Sequence, residues 1–284
     1  MYPITSKRTL AKGVIEMTVQ APRVAAHHKP GQFVIVMNDE HGERIPLTIA
    51  DSDAKKGEIT LVFLEVGKTT IQLGEEFNAG DALFAVVGPL GTPTHVEKFG
   101  TVVVIGGGLG VAPIYPICKG LKEAGNRVVA VVGYRSKDLM FWQDRIASVS
   151  NEMVITTDDG SFGMKGFVTD GLEKLRNDGL KMDRIIAIGP PVMMRAVSEK
   201  TKEWGVSTWV SLNTIMIDGT GMCGGCRVHI GGDTKFVCVD GPDFDAHKVD
   251  WGEMFARMKG YAKEERMAIE ADHKCRLALE ALRR

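Results

Sequence analysis

Several features are missing from these 284 residues, and each absence narrows the reading. No apolar run approaches the ~20 residues that span a bilayer, so no membrane segment is expected. The opening stretch, MYPITSKRTLAKGVIEM, holds no apolar signal-peptide core, which predicts a cytoplasmic location. Charge of one sign is lacking as well, with 35 Lys and Arg against 36 Asp and Glu. Without a basic field, neither nucleic acid nor an anionic membrane is expected as a partner. Cysteines number five, an odd count. In a chain without a secretory signal, clustered cysteines read as ligands rather than disulfides. No His–Asp or Glu pair falls in a motif, so no catalytic acid or base is expected.

What is present is concentrated. Three of the five cysteines lie in DGTGMCGGCRVHIGGDTKFVC, residues 218–238, with Asp218 five residues before Cys223, then Cys226 and Cys238. Thiolates on a glycine-rich loop suit an iron–sulfur cluster, because the backbone must wrap tightly around irons approached from several sides. The spacing D-x4-C-x2-C-x11-C matches the plant-type two-iron pattern with Asp in the first ligand position. Cys-x2-Cys is also zinc spacing, and this segment alone leaves that alternative open. Cys118 and Cys275 stand apart and are expected to be bystanders. His229, inside the segment, is expected on a strand facing solvent rather than as a ligand.

Around this segment the chain divides by pattern. A length of 284 residues, 44% hydrophobic and 25% charged, suits two or three globular units. Residues 1–98 alternate apolar and polar with turns every ten or so residues, which predicts an all-β barrel or sandwich. Residues 99–212 alternate buried strands and helices, which predicts a doubly wound parallel sheet. The cysteine segment, 213–250, follows, and 251–284 reads as one long helix. Met254, Met258 and Tyr261 form a stripe on it, fit either to dock a partner or to pack on the chain's own first unit.

Three short segments offer phosphate-binding chemistry, though each taken singly also reads as an ordinary turn, hairpin or capped helix. The buried strand TVVVI runs into Gly106-Gly107-Gly108-Leu109-Gly110-Val111-Ala112-Pro113, where backbone can approach a pyrophosphate at a helix N-terminus. Pro113 stands where the common fingerprint has its third glycine, and the first turn of a helix accepts it. No acidic residue ends the next strand; Arg135 and Ser136 there either meet a 2′-phosphate or are simply solvated. In the first unit, Arg44 can form a bidentate diphosphate contact, with Thr48 on the same strand face of Arg44-Ile45-Pro46-Leu47-Thr48. Val66-Gly67-Lys68-Thr69-Thr70 precedes a short helix and offers N–H groups and hydroxyls.

Taken in order, R-x-P-L-T, V-G-x-x-T, G-G-G-x-G-x-A-P and the later G-P-P-x-M-M resemble the ferredoxin–NADP reductase superfamily. The cysteine segment, the VDGPDF that follows it (239–244) and TTDDGSFGMKGFVTD (156–170) are similar to its branch of iron–sulfur flavoprotein small subunits. That branch includes the electron-transfer subunit of dihydroorotate dehydrogenase and the small subunits of sulfide dehydrogenase and of electron-bifurcating NADH-dependent ferredoxin:NADP oxidoreductase. The resemblance covers residues 1 to about 250. It implies an FAD-binding β-barrel, an NAD(H)-binding α/β domain and a C-terminal [2Fe–2S] loop followed by a helix.

It also implies roles. Arg44, Pro46, Leu47 and Thr48 lie along FAD, with Val66, Gly67, Thr69 and Thr70 at its phosphates. Gly107, Gly108, Gly110, Ala112 and Pro113 receive NAD(H), bordered by Asp158, Asp159, Gly189, Pro190 and Pro191. Asp218, Cys223, Cys226 and Cys238 hold the cluster. The dihydroorotate subunit has a cysteine where this chain has Asp218, and the transhydrogenase small subunit has Asp. The long helix also favours the latter. The resemblance therefore implies a NAD(P)H-linked electron-transfer subunit of transhydrogenase type, with sulfide dehydrogenase, dihydroorotate dehydrogenase or a stand-alone reductase as alternatives. A larger flavin/iron–sulfur subunit is the implied partner, and ferredoxin is reached indirectly through it.

Overall fold

The computed structural model describes residues 1–283, with side chains described to residue 273. Its first part is antiparallel: β1 (Tyr2–Ala11), β2 (Val14–Gln20), α1 (Pro22–His27), β3 (Phe33–Met37), β4 (Ile45–Asp53), β5 (Glu58–Leu64), α2 (Lys68–Glu75), β6 (Ala82–Leu83) and β7 (Ala85–Leu90). The strands run in the order β6-β1-β2-β5-β4-β3-β7 and curl into a near-closed barrel. Alternation explains the curl. Val34, Val36, Leu47, Ile49, Leu61 and Phe63 point inward to one apolar core, while their neighbours along each strand face out.

The second part is parallel: β8 (Thr101–Gly107), α3 (Val111–Glu123), β9 (Arg127–Tyr134), α4 (Gln143–Val149), β10 (Glu152–Thr157), β11 (Met164–Lys165), α5 (Val168–Asn177), β12 (Arg184–Ile188), α6 (Pro191–Glu203) and β13 (Thr208–Ser211). Helices cover both faces, so β8 is apolar without alternation. Val103 and Ile105 pack with Leu172 and Met194 on one face, and Val102 and Val104 with Ile114 and Ile117 on the other. The fold is ferredoxin reductase-like, as the sequence led one to expect.

The cysteine segment is more structured than a loop. It contains the hairpin β14 (Arg227–Ile230) and β15 (Asp233–Phe236), then α7 (Val237–Asp240) and β16 (Asp243–Asp245). β16 pairs antiparallel with β13, so the segment supplies the edge strand of the nucleotide sheet. The end of the chain departs from expectation. In place of one helix there are two, α8 (Trp251–Met258) and α9 (Ala262–Arg283), separated at Gly260. Glycine is the weakest helix former after proline, and this break lets α9 turn back onto the barrel. There Gln72 of α2 donates to Asp272 at 2.7 Å. Cys275 lies outside the residues whose side chains are described. No helix among the described residues is long and apolar enough to cross a membrane.

The two halves meet across a seam where Val14, Ala50 and Val62 of the barrel join the apolar cluster of α3, reinforced by polar ties. Trp142 donates through Nε1 to Glu16 of β2 at 2.8 Å, and Glu16 also accepts from Arg8 at 2.7 Å. Arg145 pairs with Asp51 of β4 while its guanidinium stacks on Tyr115 and Trp142. Near this seam His28 shares a 2.8 Å hydrogen bond with Ser52 through Nδ1, and its Nε2 is buried without a partner. Burial lowers the His28 pKa to about 4, against a weaker opposing pull from Asp51. The folded imidazole is therefore neutral where the unfolded one takes a proton from about pH 6.5 downward. Between those values the unfolded chain binds more protons, so stability falls as pH drops through this window. Replacing His28 by Gln is expected to shrink the loss of urea midpoint between about pH 7 and pH 5. An unchanged difference would mean that His28 carries none of the acid sensitivity.

Candidate functional site

Alternation along β4 sorts the first candidate residues. Leu47 turns into the barrel core, while Arg44, Pro46 and Thr48 share the outer face. On the neighbouring β3, Ile35 pairs with Pro46 and Phe33 with Thr48. Arg44 is exposed at the strand entrance. The preceding residue, Glu43, accepts from the Thr69 hydroxyl at 2.5 Å, which brings the first turn of α2 beside Arg44. Thr70 caps that helix: its hydroxyl accepts from the N–H groups of Gly67 at 3.0 Å and Val66 at 3.1 Å. Both hydroxyls expected to meet phosphate are thus committed to protein partners. The helix-start N–H groups of Lys68, Thr69 and Thr70, which no carbonyl of the helix can reach, remain for an anion. A guanidinium beside a helix start is a fitting donor set for the diphosphate of FAD. Glu43 itself carries no motif, and only the folded contact shows its part.

The glycine turn lies where β8 and β12 lead their chains to opposite sides of the sheet, the place where open α/β sheets bind ligands. Its glycines do different work. A Cβ on Gly110 would sit 2.1 Å from the carbonyl oxygen of Ile188, and one on Gly107 would meet Met193 at 2.2 Å. These two let the turn close against Gly189 and Pro190. Gly108, at φ +54°, would place a Cβ in open space, so its bare backbone is the part presented outward. That open backbone fits the approach of a dinucleotide. Ala112 is buried in α3, and Pro113 sits in its first turn as expected. α3 also packs along β4, so the turn abuts the barrel.

Asp158 and Asp159 stand further along, at the end of β10, and both are exposed. The Asp159 carboxylate accepts from the hydroxyl and N–H of Ser161, which hold it below the usual carboxylate range. Ser161 in turn accepts from the N–H of Lys137 at 2.8 Å. Asp159 thus orders the loop edge, while the glycine and Gly189-Pro190-Pro191 turns form the tight contact.

At the cysteine segment, Cys226 and Cys238 are each 1% exposed and their sulfurs lie 3.3 Å apart, unbonded. Burial first, then the adjacent Cys226, pushes the Cys238 thiol up to about 12. A bound iron stabilises the thiolate, so loading such a pair releases protons. Cys223 is exposed on the same loop. Asp218 accepts from the N–H of Thr220 at 3.0 Å and of Cys223 at 2.7 Å, and these bonds hold its carboxyl below the usual range. Among the described residues no three His, Cys, Asp or Glu side chains already converge as metal ligands. The two buried thiols do, with Cys223 and Asp218 bonded into one turn beside them, and this sulfur-rich set suits iron–sulfur chemistry. The segment leans on the barrel. A Cβ on Gly219 would meet Leu90 at 2.7 Å and Ile35 at 2.9 Å, the outer face that also carries Pro46 and Thr48. Phe33, Ile35, Cys226 and Cys238 belong to one apolar cluster. Thr94 and Thr92 add polar ties, to Asp243 at 2.5 Å and to the Val239 carbonyl at 3.0 Å. His229 does lie on a strand, yet it is paired rather than free, with Nδ1 2.7 Å from Glu253.

Known proteins match the chain along these same segments. Residues 213–250 match the iron–sulfur cluster binding domain of dihydroorotate dehydrogenase B, and 104–199 match the oxidoreductase NAD-binding domain. A Thermotoga maritima protein, a homolog of the electron transfer subunit of dihydroorotate dehydrogenase B (NAD(+)), is 46% identical over 94% of this chain and 94% of its own. The electron transfer subunit of that enzyme from Geobacillus thermodenitrificans is 35% identical over 87% of this chain and 96% of its own. A chain of the solved NADH-dependent reduced ferredoxin-NADP oxidoreductase, described for flavin-based electron bifurcation, superposes with a TM-score of 0.90 at 45% identity. It covers 95% of this chain and 97% of that one.

Proposed function

The chain belongs to the family of dihydroorotate dehydrogenase B electron transfer subunits within the ferredoxin–NADP reductase superfamily, and from that premise we propose that it serves an NADH-dependent ferredoxin:NADP oxidoreductase. At the coarser level it is an electron-transfer subunit of a flavin/iron–sulfur oxidoreductase, with FAD, NAD(H) and an iron–sulfur cluster as cofactors. When bound, FAD converts the paired electrons of a hydride from NADH into the single electrons that an iron–sulfur cluster handles.

The chain's own residues contribute placement. Arg44 and the start of α2 would anchor the flavin diphosphate, and the Gly108 backbone would admit the nucleotide. Phe33, Ile35 and Leu90 wall the cysteine segment off from water on its barrel side. Asp218, Cys223, Cys226 and Cys238 would hold the cluster. Hydride movement needs no acid or base side chain, in keeping with a site built from glycines, one arginine and thiols.

The observation that carries the finer reading is likeness over almost the whole length. The ferredoxin-NADP oxidoreductase chain is matched over 95% of this one at 45% identity, level with the Thermotoga homolog at 46% over 94% and above the Geobacillus dihydroorotate subunit at 35% over 87%. Asp218 supports it, since the dihydroorotate subunits resemble this segment with cysteine in that position. Affinity purification from the native cell is expected to bring down a larger flavin subunit carrying iron–sulfur clusters. A dihydroorotate-oxidising or sulfide-oxidising partner in its place would overturn the assignment. Asp218→Cys is expected to keep the cluster and change its electron paramagnetic resonance spectrum and potential. If both stay as in the wild type, Asp218 is not a ligand and its bonds to Thr220 and Cys223 are its whole role.

A further inference from the structure

The turn Cys223-Gly224-Gly225-Cys226 exposes two peptide carbonyls between its cysteines, and each meets an arginine. Arg227 donates through Nη1 to Gly224 at 3.3 Å, and Arg257 donates through Nη2 to Gly225 at 3.1 Å. Arg227 belongs to the segment itself and is exposed. Arg257 comes from α8, beyond the stretch that matches the iron–sulfur binding domain. It is held there by more than its own bond. Asp250 caps α8 by accepting from Glu253 N–H at 2.9 Å, and the Asp250 N–H donates to the His229 carbonyl at 2.9 Å. Glu253 pairs with His229 of β14, and Met254, 1% exposed, packs in the same cluster as Cys226 and Cys238. The guanidinium thus stands on a platform bolted to the hairpin that Cys226 opens. Among the described residues Arg257 forms no ion pair, and the contact its guanidinium makes is the Gly225 carbonyl.

Thiolate and carboxylate ligands leave an iron–sulfur cluster negative, and each added electron makes it more so. A fixed, half-buried cation on the ligand turn therefore favours the reduced form. We propose that Arg257 is a positioning residue for the Cys223–Cys226 turn and that its charge raises the reduction potential of the cluster held there. This rests on the reading of Cys223 and Cys226 as ligands. Arg227, in water, contributes less because solvent screens it.

The test uses the full chain carrying its cluster, as wild type, Arg257→Gln and Arg257→Lys, titrated with dithionite and mediators and followed by electron paramagnetic resonance. Arg257→Gln is expected to keep its iron but to show a reduced-to-oxidised ratio roughly tenfold lower at a fixed poise, a shift of about 59 mV to more negative potential. Arg257→Lys is expected to recover most of that ratio. Equal potentials in all three would overturn the proposal. So would loss of iron from both variants together with a lowered unfolding temperature, which would make Arg257 an ordinary packing residue. Loss of iron from the Gln variant alone, with the Lys variant loaded, supports the role of the charge. The underlying ligand reading fails separately: Cys226→Ser retaining full iron would refute it whatever the Arg257 variants do.

Discussion

Cys226→Ser is expected to yield a chain that keeps FAD but carries almost no iron or acid-labile sulfide. The Cys226 thiol is buried and 3.3 Å from that of Cys238, so its loss removes half of the buried sulfur pair. Serine is a harder and far more basic donor than a thiolate, and a poor match for iron in a sulfide cluster. The flavin side is untouched, because Arg44 and the start of α2 belong to the barrel. NADH is therefore expected to bleach the flavin of the variant as in the wild type, while the cluster signal is gone. Iron and sulfide analysis beside the visible spectrum checks this. Cys118→Ser provides the control. That cysteine is fully buried in α3, where burial pushes its thiol up to about 12, and cluster content is expected to be unchanged.

The second large effect separates two glycines of one turn. Gly110→Ala is expected to destabilise the nucleotide-binding part by at least about 3 kcal/mol, or to prevent its folding. The new Cβ would lie 2.1 Å from the Ile188 oxygen and 2.6 Å from its carbonyl carbon, both backbone atoms of a buried strand that cannot move aside. Gly108→Ala meets nothing within 4 Å, and its cost is the left-handed φ of +54°, about 1 kcal/mol. Yet Gly108 is the glycine that faces outward. Its variant is expected to fold and to bind NADH roughly tenfold more weakly, about 1.4 kcal/mol. Denaturation midpoints and NADH titrations on the two variants give the comparison. If Gly110→Ala folds normally and Gly108→Ala binds normally, the division of labour within the turn is wrong.

These two glycines show why a motif can be visible in sequence while its physics is not. Both match the same pattern, G-x-G-x-x-P. One is glycine because β12 crosses close beneath it, and the other because something must approach from outside. Strand β12 is some eighty residues away in the chain, so spacing cannot report the crowding. Thr69 and Thr70 make the same point. Their hydroxyls read as phosphate ligands, but Glu43 and the start of their own helix take them, leaving the backbone N–H groups for an anion. From sequence the C-terminal helix reads as continuous, because its polar and apolar residues keep helical spacing on both sides of Gly260. The break follows from the weak helix preference of glycine together with the contact that α9 finds at Gln72.

What the sequence determined alone was local: alternation that makes a barrel wall, continuous Val and Ile that make buried parallel strands, and three short motifs with a cysteine set. Each is written in neighbouring residues, so period and spacing suffice to read it. Only the tertiary structure decided which of these face one another. It set Ile35 of β3 and Leu90 of β7 against Gly219, the glycine turn against β12 and the barrel, and Arg257 against the carbonyl between two cysteines. Those contacts join residues tens to hundreds of positions apart, through packing and single hydrogen bonds that leave no periodic trace in the chain.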